Sequence, residues 1–225
     1  MNFYHCTNTN AARKILRPEP AKRVIKESYF DYQICLEYWL RRLSNNPLNP
    51  FPNTYYDYEV YDEEYYVYWL GRGVYCFSEN NEEMASRYAR SHDLDVIIDI
   101  DYDPNYTYFD LTKRIGEVID LLKNETVNFF RQKGCDQDVI EAVSVMVESL
   151  LLSIEDEFFE DPHAAAIVIG LFLDLRNEEY DVVSNNFLKQ DINNEYFYDE
   201  YHSIRNQNKI LGLTHNDELS RLVRQ

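Results

Sequence analysis

The stretch that decides the fold is GRGVYCFSENNEEMASRYA, residues 71–89. Its first and third residues are glycines, in a chain that has only six, so the pair indicates a tight turn or a backbone with positive φ. The apolar run after the second glycine predicts a strand, and Glu82–Arg90 predicts a short amphipathic helix. Asn80 and Glu83 have capping-box spacing, which would begin that helix. The segment therefore predicts a turn, a strand and a helix in succession.

The same segment lacks the signatures of two common nucleotide sites. A Rossmann fingerprint needs a third glycine and a helix that begins at the turn, and neither is present. A Walker A loop ends in Gly-Lys followed by Ser or Thr, which is also missing. If this turn contacts a ligand, it does so in another way.

On both sides of this segment the sequence predicts further strands, and a helical block interrupts them. The predicted strands cover residues 2–6, 95–101, 106–111, 180–183 and 196–213. Predicted helices cover residues 11–16, 27–44, two stretches between 115 and 155, the apolar run 163–175 and the tail after His215. We therefore expect one α+β domain, residues 1–225, with a helical insertion at about 113–176.

Composition narrows the function. The chain has 225 residues and a formal net charge of −18, so its mean field repels nucleic-acid phosphates unless a local basic groove exists. Its four cysteines are scattered without metal-ligand or disulfide spacing, so no structural metal is expected. No signal peptide and no apolar stretch of about 18 residues is found. We expect a cytoplasmic protein without a membrane partner, or one delivered into a target cell by a route that needs no signal peptide.

Residues 54–69 are rich in tyrosine that alternates with Asp and Glu. One interpretation is a solvated, half-buried strand pair or loop. The other is a lid or a partner surface, because tyrosine offers a large contact area at a low entropic cost.

Two further motifs lie near the chain ends. FYHCT, residues 3–7, places His5 at the end of a predicted strand, and YDEYHSIRNQNKIL, residues 198–211, places Glu200 at the start of another. A lone histidine is usually structural, and one carboxylate among forty acidic residues is usually a surface charge. Neither motif indicates a function by itself.

Taken in order, the three motifs resemble the ADP-ribosyltransferase family, in particular its H-Y-E branch, which includes the diphtheria-toxin-like toxins and the poly(ADP-ribose) polymerases. Within that branch, the chain looks like the small bacterial and phage toxins. The resemblance implies a split β-sheet core and NAD as co-substrate, with no metal.

The resemblance also implies a role for each motif residue. His5 would hydrogen-bond a ribose hydroxyl of NAD, and the backbone of Cys6 would hold the carboxamide, where many family members have glycine. Tyr75 and Tyr88 would sandwich the nicotinamide ring, and Glu200 would accept a hydrogen bond from the ribose 2′-hydroxyl. The remaining expected NAD-binding residues are Thr7, Gly73, Arg13 and Arg72, with Lys14 and Arg87 as further cations for the pyrophosphate.

The implied chemistry is cleavage of the glycosidic bond of NAD. Positive charge develops on the ribose, and a preorganised carboxylate is complementary to that transition state. Tyr198 stands two residues before Glu200, where arginine-specific toxins have Glu or Gln, so modification of arginine is not favoured.

The expected function is therefore an NAD-dependent mono-ADP-ribosyltransferase, a toxin, defence or effector enzyme that modifies a macromolecule, with protein favoured. A neutralising antitoxin or immunity protein is a further expected partner. Modification of nucleic acid and hydrolysis of NAD are alternatives within the fold. An inactive binding module that uses the acidic, tyrosine-rich segment is the alternative from a different class.

Overall fold

A computed structural model describes residues 1–17, 25, 70, 73–156, 162–176, 179–190 and 196–224. The helix predicted at 27–44, the tyrosine-rich residues 54–69 and Arg72 lie outside the described residues.

Seven strands form one mixed sheet. They are β1 (Asn2–Thr7), β2 (Val74–Ser78), β3 (Val96–Tyr102), β4 (Tyr108–Asp110), β5 (Val182–Gln190), β6 (Tyr196–Ile204) and β7 (Ile210–His215). Their order across the sheet is β4-β5-β6-β2-β1-β3-β7, and every neighbouring pair is antiparallel except β4 and β5, which are parallel. The predicted α+β class is confirmed.

Six helices accompany the sheet within the described residues: α1 (Thr9–Ile15), α2 (Glu82–Ser91), α3 (Leu111–Gln132), α4 (Gln137–Asp156), α5 (Pro162–Arg176) and α6 (Asp217–Val223). Three of them, α3 to α5, follow one another between β4 and β5, in the region where the sequence predicts a helical insertion. Asp110 begins α3 by accepting a hydrogen bond from the Lys113 amide.

Two local predictions are wrong. The single strand predicted for residues 196–213 is two strands, because a 3₁₀ turn at Gln207–Lys209 ends the pairing of β6 with β2 and begins the pairing of β7 with β3. The predicted capping box is absent, because α2 begins after Asn81, whose side chain makes no cap hydrogen bond. The Asn81 amide donates instead to Ser78 Oγ at 3.0 Å and to Glu200 Oε2 at 3.4 Å.

The sheet separates two apolar cores. The face that we call the helical face carries Phe77, Ile97, Val183 and Tyr201, which pack against the buried side chains of α2 to α6. The opposite face, called here the α1 face, carries Phe3, Cys76, Ile98 and Ile204, which pack against Ala12 and Ile15 of α1. Because strand side chains alternate, each strand residue belongs to one of these two faces.

The pairing of β1 differs on its two sides. β1 pairs with β3 through six consecutive residues, Asn2 to Thr7, but with β2 only at Phe3/Ser78 and Tyr4/Phe77. From His5 onward the pairing between β1 and β2 therefore stops, although both strands continue. The two strands therefore separate at His5.

Gly73 brings β2 in against β6. Its φ is +140°, and a Cβ atom at this position would lie 2.1 Å from Ser203 Oγ and 2.8 Å from the Ile204 carbonyl oxygen. Both the positive φ and the close approach require glycine. The positive φ predicted from the glycine pair is confirmed at Gly73, and Gly71 lies outside the described residues.

Candidate functional site

The three motifs lie on three adjacent strands at the centre of the sheet. FYHCT forms β1, GVYCF begins with Gly73 and runs along β2, and DEYHSI forms the end of β6, in the lateral order β6-β2-β1. The register pairs Tyr75 with Ser203 and Cys76 with His202. Residues from opposite ends of the chain are thus brought to neighbouring backbones.

His5 closes the separation between β1 and β2. Its Nδ1 lies 2.9 Å from the carbonyl oxygen of Tyr75. Burial lowers the pKa of His5, and the hydrogen bond to the carbonyl opposes that effect only in part, so the ring is neutral near pH 7. A carbonyl cannot donate, so Nδ1 carries the proton and Nε2 is left as an acceptor. His5 is therefore suited to accept a hydrogen bond from a ligand hydroxyl.

Glu200 lies on the α1 face, in a polar group from three other places in the chain. Its carboxylate is 3.4 Å from the Asn81 amide at the start of α2 and 3.6 Å from His202 Nε2 on its own strand. The Tyr108 hydroxyl of β4 lies 3.4 Å from the same His202 Nε2. The side chain is 35% exposed, so a ligand in solvent can reach it.

The groups around Glu200 shift its pKa in opposite directions. Burial and the nearby Asp110 carboxylate raise its pKa, while Asn81, Lys113 and Tyr108 act to lower it. Lys113 also bonds Asp110 at 2.6 Å, so the two charges compensate each other in part. The net result is a carboxyl whose pKa is raised above its ordinary value.

His202 is a residue of this group that the motif comparison missed. Its side chain is 2% exposed and its ring lies 5.4 Å from Phe3 and 6.0 Å from Tyr108 between ring centroids. Burial lowers its pKa to about 4, so it is neutral near pH 7. Its Nδ1 has no hydrogen-bond partner, which favours the tautomer with the proton on Nε2, toward Glu200. Because side chains two residues apart on a strand lie on the same face, the sequence could have indicated His202 as a neighbour of Glu200 on β6.

Tyr75 and Tyr88 lie on the helical face, away from Glu200. Both are half-buried there, and the Tyr75 hydroxyl accepts a hydrogen bond of 2.6 Å from the Leu70 amide. Tyr75 pairs with Ser203, three residues along β6 from Glu200, which is roughly 10 Å at a rise of about 3.3 Å per residue. The structure brings His5 to the backbone of Tyr75, but it does not bring Glu200 to the two rings.

The ring of Tyr88 already has a stacking partner. His92 lies 4.0 Å from it between centroids with an interplanar angle of 23°, and Phe77 lies 5.4 Å away. A nicotinamide sandwiched by Tyr88 would therefore have to use its other side or displace His92. The sandwich stays a prediction.

The remaining predicted NAD-binding residues have varied settings. Cys6 donates its thiol hydrogen bond to the Ala85 carbonyl, and burial raises its pKa to about 12, so it is a neutral thiol. Thr7 is buried and pairs with Val96 of β3. Arg13 and Lys14 are exposed on the last turn of α1, which follows the His5 motif.

Arg87 has a partner on the motif strand β6. Its guanidinium forms an ion pair with Asp199, whose side chain is 10% exposed. This pair joins α2 to β6 on the helical face, beside the hydroxyl of Tyr201. Arg87 thus has a structural role between two motif elements, whether or not it also meets a phosphate.

Comparison of the chain with known protein families, with curated proteins and with solved structures finds no match. In the part of the chain that the structure describes, no helix is long and apolar enough to cross a membrane. The same residues contain no group of three His, Cys, Asp or Glu side chains arranged to hold a metal ion.

Proposed function

We propose that this protein is a cytoplasmic, NAD-dependent mono-ADP-ribosyltransferase of the ADP-ribosyltransferase fold, a bacterial or phage toxin, defence or effector enzyme. It transfers ADP-ribose from NAD to a macromolecule, with protein favoured, and releases nicotinamide. The observation that carries the proposal is the adjacency of β6, β2 and β1, because these are the strands that hold the three motifs.

His5 supports the proposal by its position and its tautomer. It lies where β1 and β2 stop pairing, on the same sheet face as Glu200, and its Nε2 is an acceptor. A ribose hydroxyl is a suitable donor to that nitrogen. In this proposal Tyr75 also acts through its backbone, since its carbonyl fixes the imidazole.

Glu200 supports the proposal by its chemistry. A half-exposed carboxylate oriented by neutral donors can accept a hydrogen bond from the ribose 2′-hydroxyl and oppose the positive charge that develops on the ribose. Its raised pKa means that the fraction in the active, ionised form falls on acidification sooner than for an ordinary glutamate. Nicotinamide leaves as a neutral molecule, so no general acid is required for it.

The test is cleavage of labelled NAD by the wild type and by variants. Glu200→Gln keeps the shape and removes the charge, and we expect nicotinamide release to fall by about 100-fold or more. His5→Ala removes one hydrogen bond, which corresponds to about tenfold. Glu83→Gln is the matched control, because Glu83 is an exposed carboxylate on α2.

The outcomes separate the candidate functions. Release that Glu200→Gln leaves unchanged refutes the proposed mechanism. Label on protein supports the proposal, label on nucleic acid supports the nucleic-acid alternative, and release without transferred label supports NAD hydrolysis.

The second candidate is a binding module on the same fold, and one observation favours it. Glu200 and the rings of Tyr75 and Tyr88 lie on opposite faces, whereas an NAD site of the expected kind uses them together. Wild-type protein that neither binds NAD nor releases nicotinamide, but captures a basic partner, would support this candidate.

A further inference from the structure

Asn186 of β5 lies directly opposite Glu200 in the sheet. The two residues are partners in the antiparallel pairing of β5 with β6. The Asn186 side chain shares the α1 face with Glu200, because alternation places it with Ser184, whose hydroxyl meets Tyr108 on that face. The Cβ atoms of directly opposed residues lie about 4.5–5.5 Å apart. A carboxamide that none of the three motifs contains therefore stands beside the carboxylate.

The backbone at Asn186 is held on both sides. On one side it pairs with β6, and on the other its amide donates to Thr112 Oγ1 of α3 at 3.1 Å. β4 has already ended at Asp110, which is the partner of Ser184. The first turn of α3 thus takes the place of an edge strand beside Asn186. Main-chain contacts therefore fix the position of this residue, and its side chain is not needed for them.

The carboxamide of Asn186 is available to a ligand. Its side chain is half-buried, and within the described part of the chain it has no hydrogen-bond partner. The amide of Asn81 differs, because it already donates to Ser78 Oγ at 3.0 Å and to Glu200 Oε2 at 3.4 Å. Of the two carboxamides beside Glu200, only the one on β5 is therefore left for a ligand.

We propose that Asn186 is a second ligand-binding residue of the Glu200 site, and that the two side chains together bind a vicinal diol, the ribose of NAD. The inference rests on the proposed function for the identity of the ribose, and on the sheet register for the juxtaposition of the two side chains.

The two groups complement a pair of neighbouring hydroxyls. An ionised carboxylate only accepts hydrogen bonds, whereas a carboxamide has an acceptor oxygen and two N–H donors. Each hydroxyl of a diol has one proton to donate and can also accept. In the proposed function Glu200 accepts from the 2′-hydroxyl of the ribose. Asn186 then accepts from, or donates to, the neighbouring 3′-hydroxyl.

An anionic ligand fits this pair less well than a neutral diol. Ionised Glu200 repels an anion, and Asp110 lies on the same sheet face, opposite Ser184. Lys113 bonds Asp110 at 2.6 Å and is 77% exposed, so it offsets this repulsion only in part. A ribose carries no charge on its hydroxyls and meets no such repulsion.

The experiment is a double-mutant cycle between the full-length protein and its substrate. Nicotinamide release is measured for the wild type and Asn186→Ala, each with NAD and with an NAD analogue that lacks the 3′-hydroxyl of the nicotinamide ribose. Asn186→Ala should lower kcat/KM for NAD by about five- to tenfold, which is the loss of one hydrogen bond. The analogue should lower the wild-type value by a similar factor, and should not lower the value of Asn186→Ala further.

Two further variants control for folding and for the chemical change. Asn124→Ala makes the same change at an exposed asparagine of α3 and should leave kcat/KM unchanged for both substrates. Asn186→Thr places a β-branched residue with a hydroxyl in the strand, so it serves if Asn186→Ala fails to fold. Its loss with NAD should be smaller than that of the alanine variant.

Binding of ADP-ribose, measured by calorimetry, separates this inference from the proposed function. ADP-ribose has the same diol but no nicotinamide, so its binding does not require catalysis. Asn186→Ala should weaken this binding by about five- to tenfold, and Asn124→Ala should not change it.

The outcomes keep the two proposals apart. Nicotinamide release that does not depend on Asn186, or losses from Asn186→Ala and the analogue that simply multiply, overturns the inference and leaves the proposed function standing. A wild type that releases no nicotinamide but binds ADP-ribose through Asn186 overturns the proposed function and supports the inference. A wild type that binds neither NAD nor ADP-ribose overturns both.

Discussion

Gly73 offers a quantitative test of how β2 is seated in the sheet. In Gly73→Ala the new Cβ would lie 2.1 Å from Ser203 Oγ and 2.8 Å from the Ile204 carbonyl oxygen, at a φ of +140°. The backbone conformation alone costs an alanine about 1–3 kcal/mol. Relief of the contact with the Ile204 backbone requires a shift in a paired strand, which adds about 1–3 kcal/mol by the cost of overpacking. We expect a total loss of roughly 2–6 kcal/mol in the free energy of unfolding.

Two other glycines separate the contributions. Gly134 has a φ of +77° and nothing near the new Cβ, so Gly134→Ala should show the conformational cost alone, about 1–2 kcal/mol. Gly116 lies inside α3 with open space around it, and Gly116→Ala should stabilise the protein by about 0.5–1 kcal/mol. The three variants make the same chemical change in three environments.

The assay is urea unfolding followed by circular dichroism, with the double variant Gly73→Ala/Ser203→Ala to remove the nearest obstacle. Because Ser203 Oγ is the closer atom, the double variant should recover about 1 kcal/mol relative to the sum of the single variants. If Gly73→Ala costs no more than Gly134→Ala, the close approach of β2 to β6 is not as described and the reasoning fails.

Three further predictions concern other parts of the fold. In the wild type, burial lowers the pKa of His202 to about 4, whereas the unfolded chain has a histidine pKa of about 6.5. Its free energy of unfolding is therefore constant above about pH 7 and falls by up to about 3 kcal/mol toward pH 4. His202→Gln should remove this part of the decline. Urea midpoints at pH 7, 5.5 and 4 check this, and an equal decline in both proteins contradicts it. Asp181→Ala should lower the free energy of unfolding by about 3 kcal/mol, because the Thr107 amide loses its 2.7 Å acceptor. Denaturant titration measures this loss, and nicotinamide release per folded molecule should not change. Asn81→Ala should leave the melting temperature nearly unchanged, because Asn81 makes no cap hydrogen bond to α2, while the lost amide contact to Glu200 slows nicotinamide release. A fall in both quantities would show that Asn81 supports the helix instead.

The elements of the fold were largely predictable because their signals are local. The alternation in residues 95–101 predicts β3, and the apolar periodicity between 115 and 175 predicts α3 to α5. The pairing of β6 with β2 joins residues far apart in the sequence, and neither strand's own sequence indicates which strand it pairs with. In this sequence the resemblance of the motifs, rather than periodicity, indicated that these strands belong together.

The site was less predictable for the same physical reason. Asn81 and Glu200 are 119 residues apart, and the Asn81 side-chain amide donates to the Glu200 carboxylate. A local capping rule does not predict a partner for this amide. Tyr108 reaches His202, the neighbour of Glu200 on the same sheet face, because β4 and β5 pair in parallel although three helices separate them in the chain. Alternation along β2 could have shown that Tyr75 faces away from Cys76, but only the register of β6 reveals that Glu200 shares the Cys76 face.

The position of β6 has a consequence for how the protein is made. β6 lies between β5 and β2, although it is synthesised after both, so the two parts of the sheet cannot join until residue 204 has left the ribosome. Until then the chain carries His5 without the carboxylate of Glu200, and the facing edges of β2 and β5 remain unpaired. Such late, long-range pairing is slow. The strand that completes the sheet is also the strand that carries Glu200, so the activity proposed for this residue is absent while the chain is still growing.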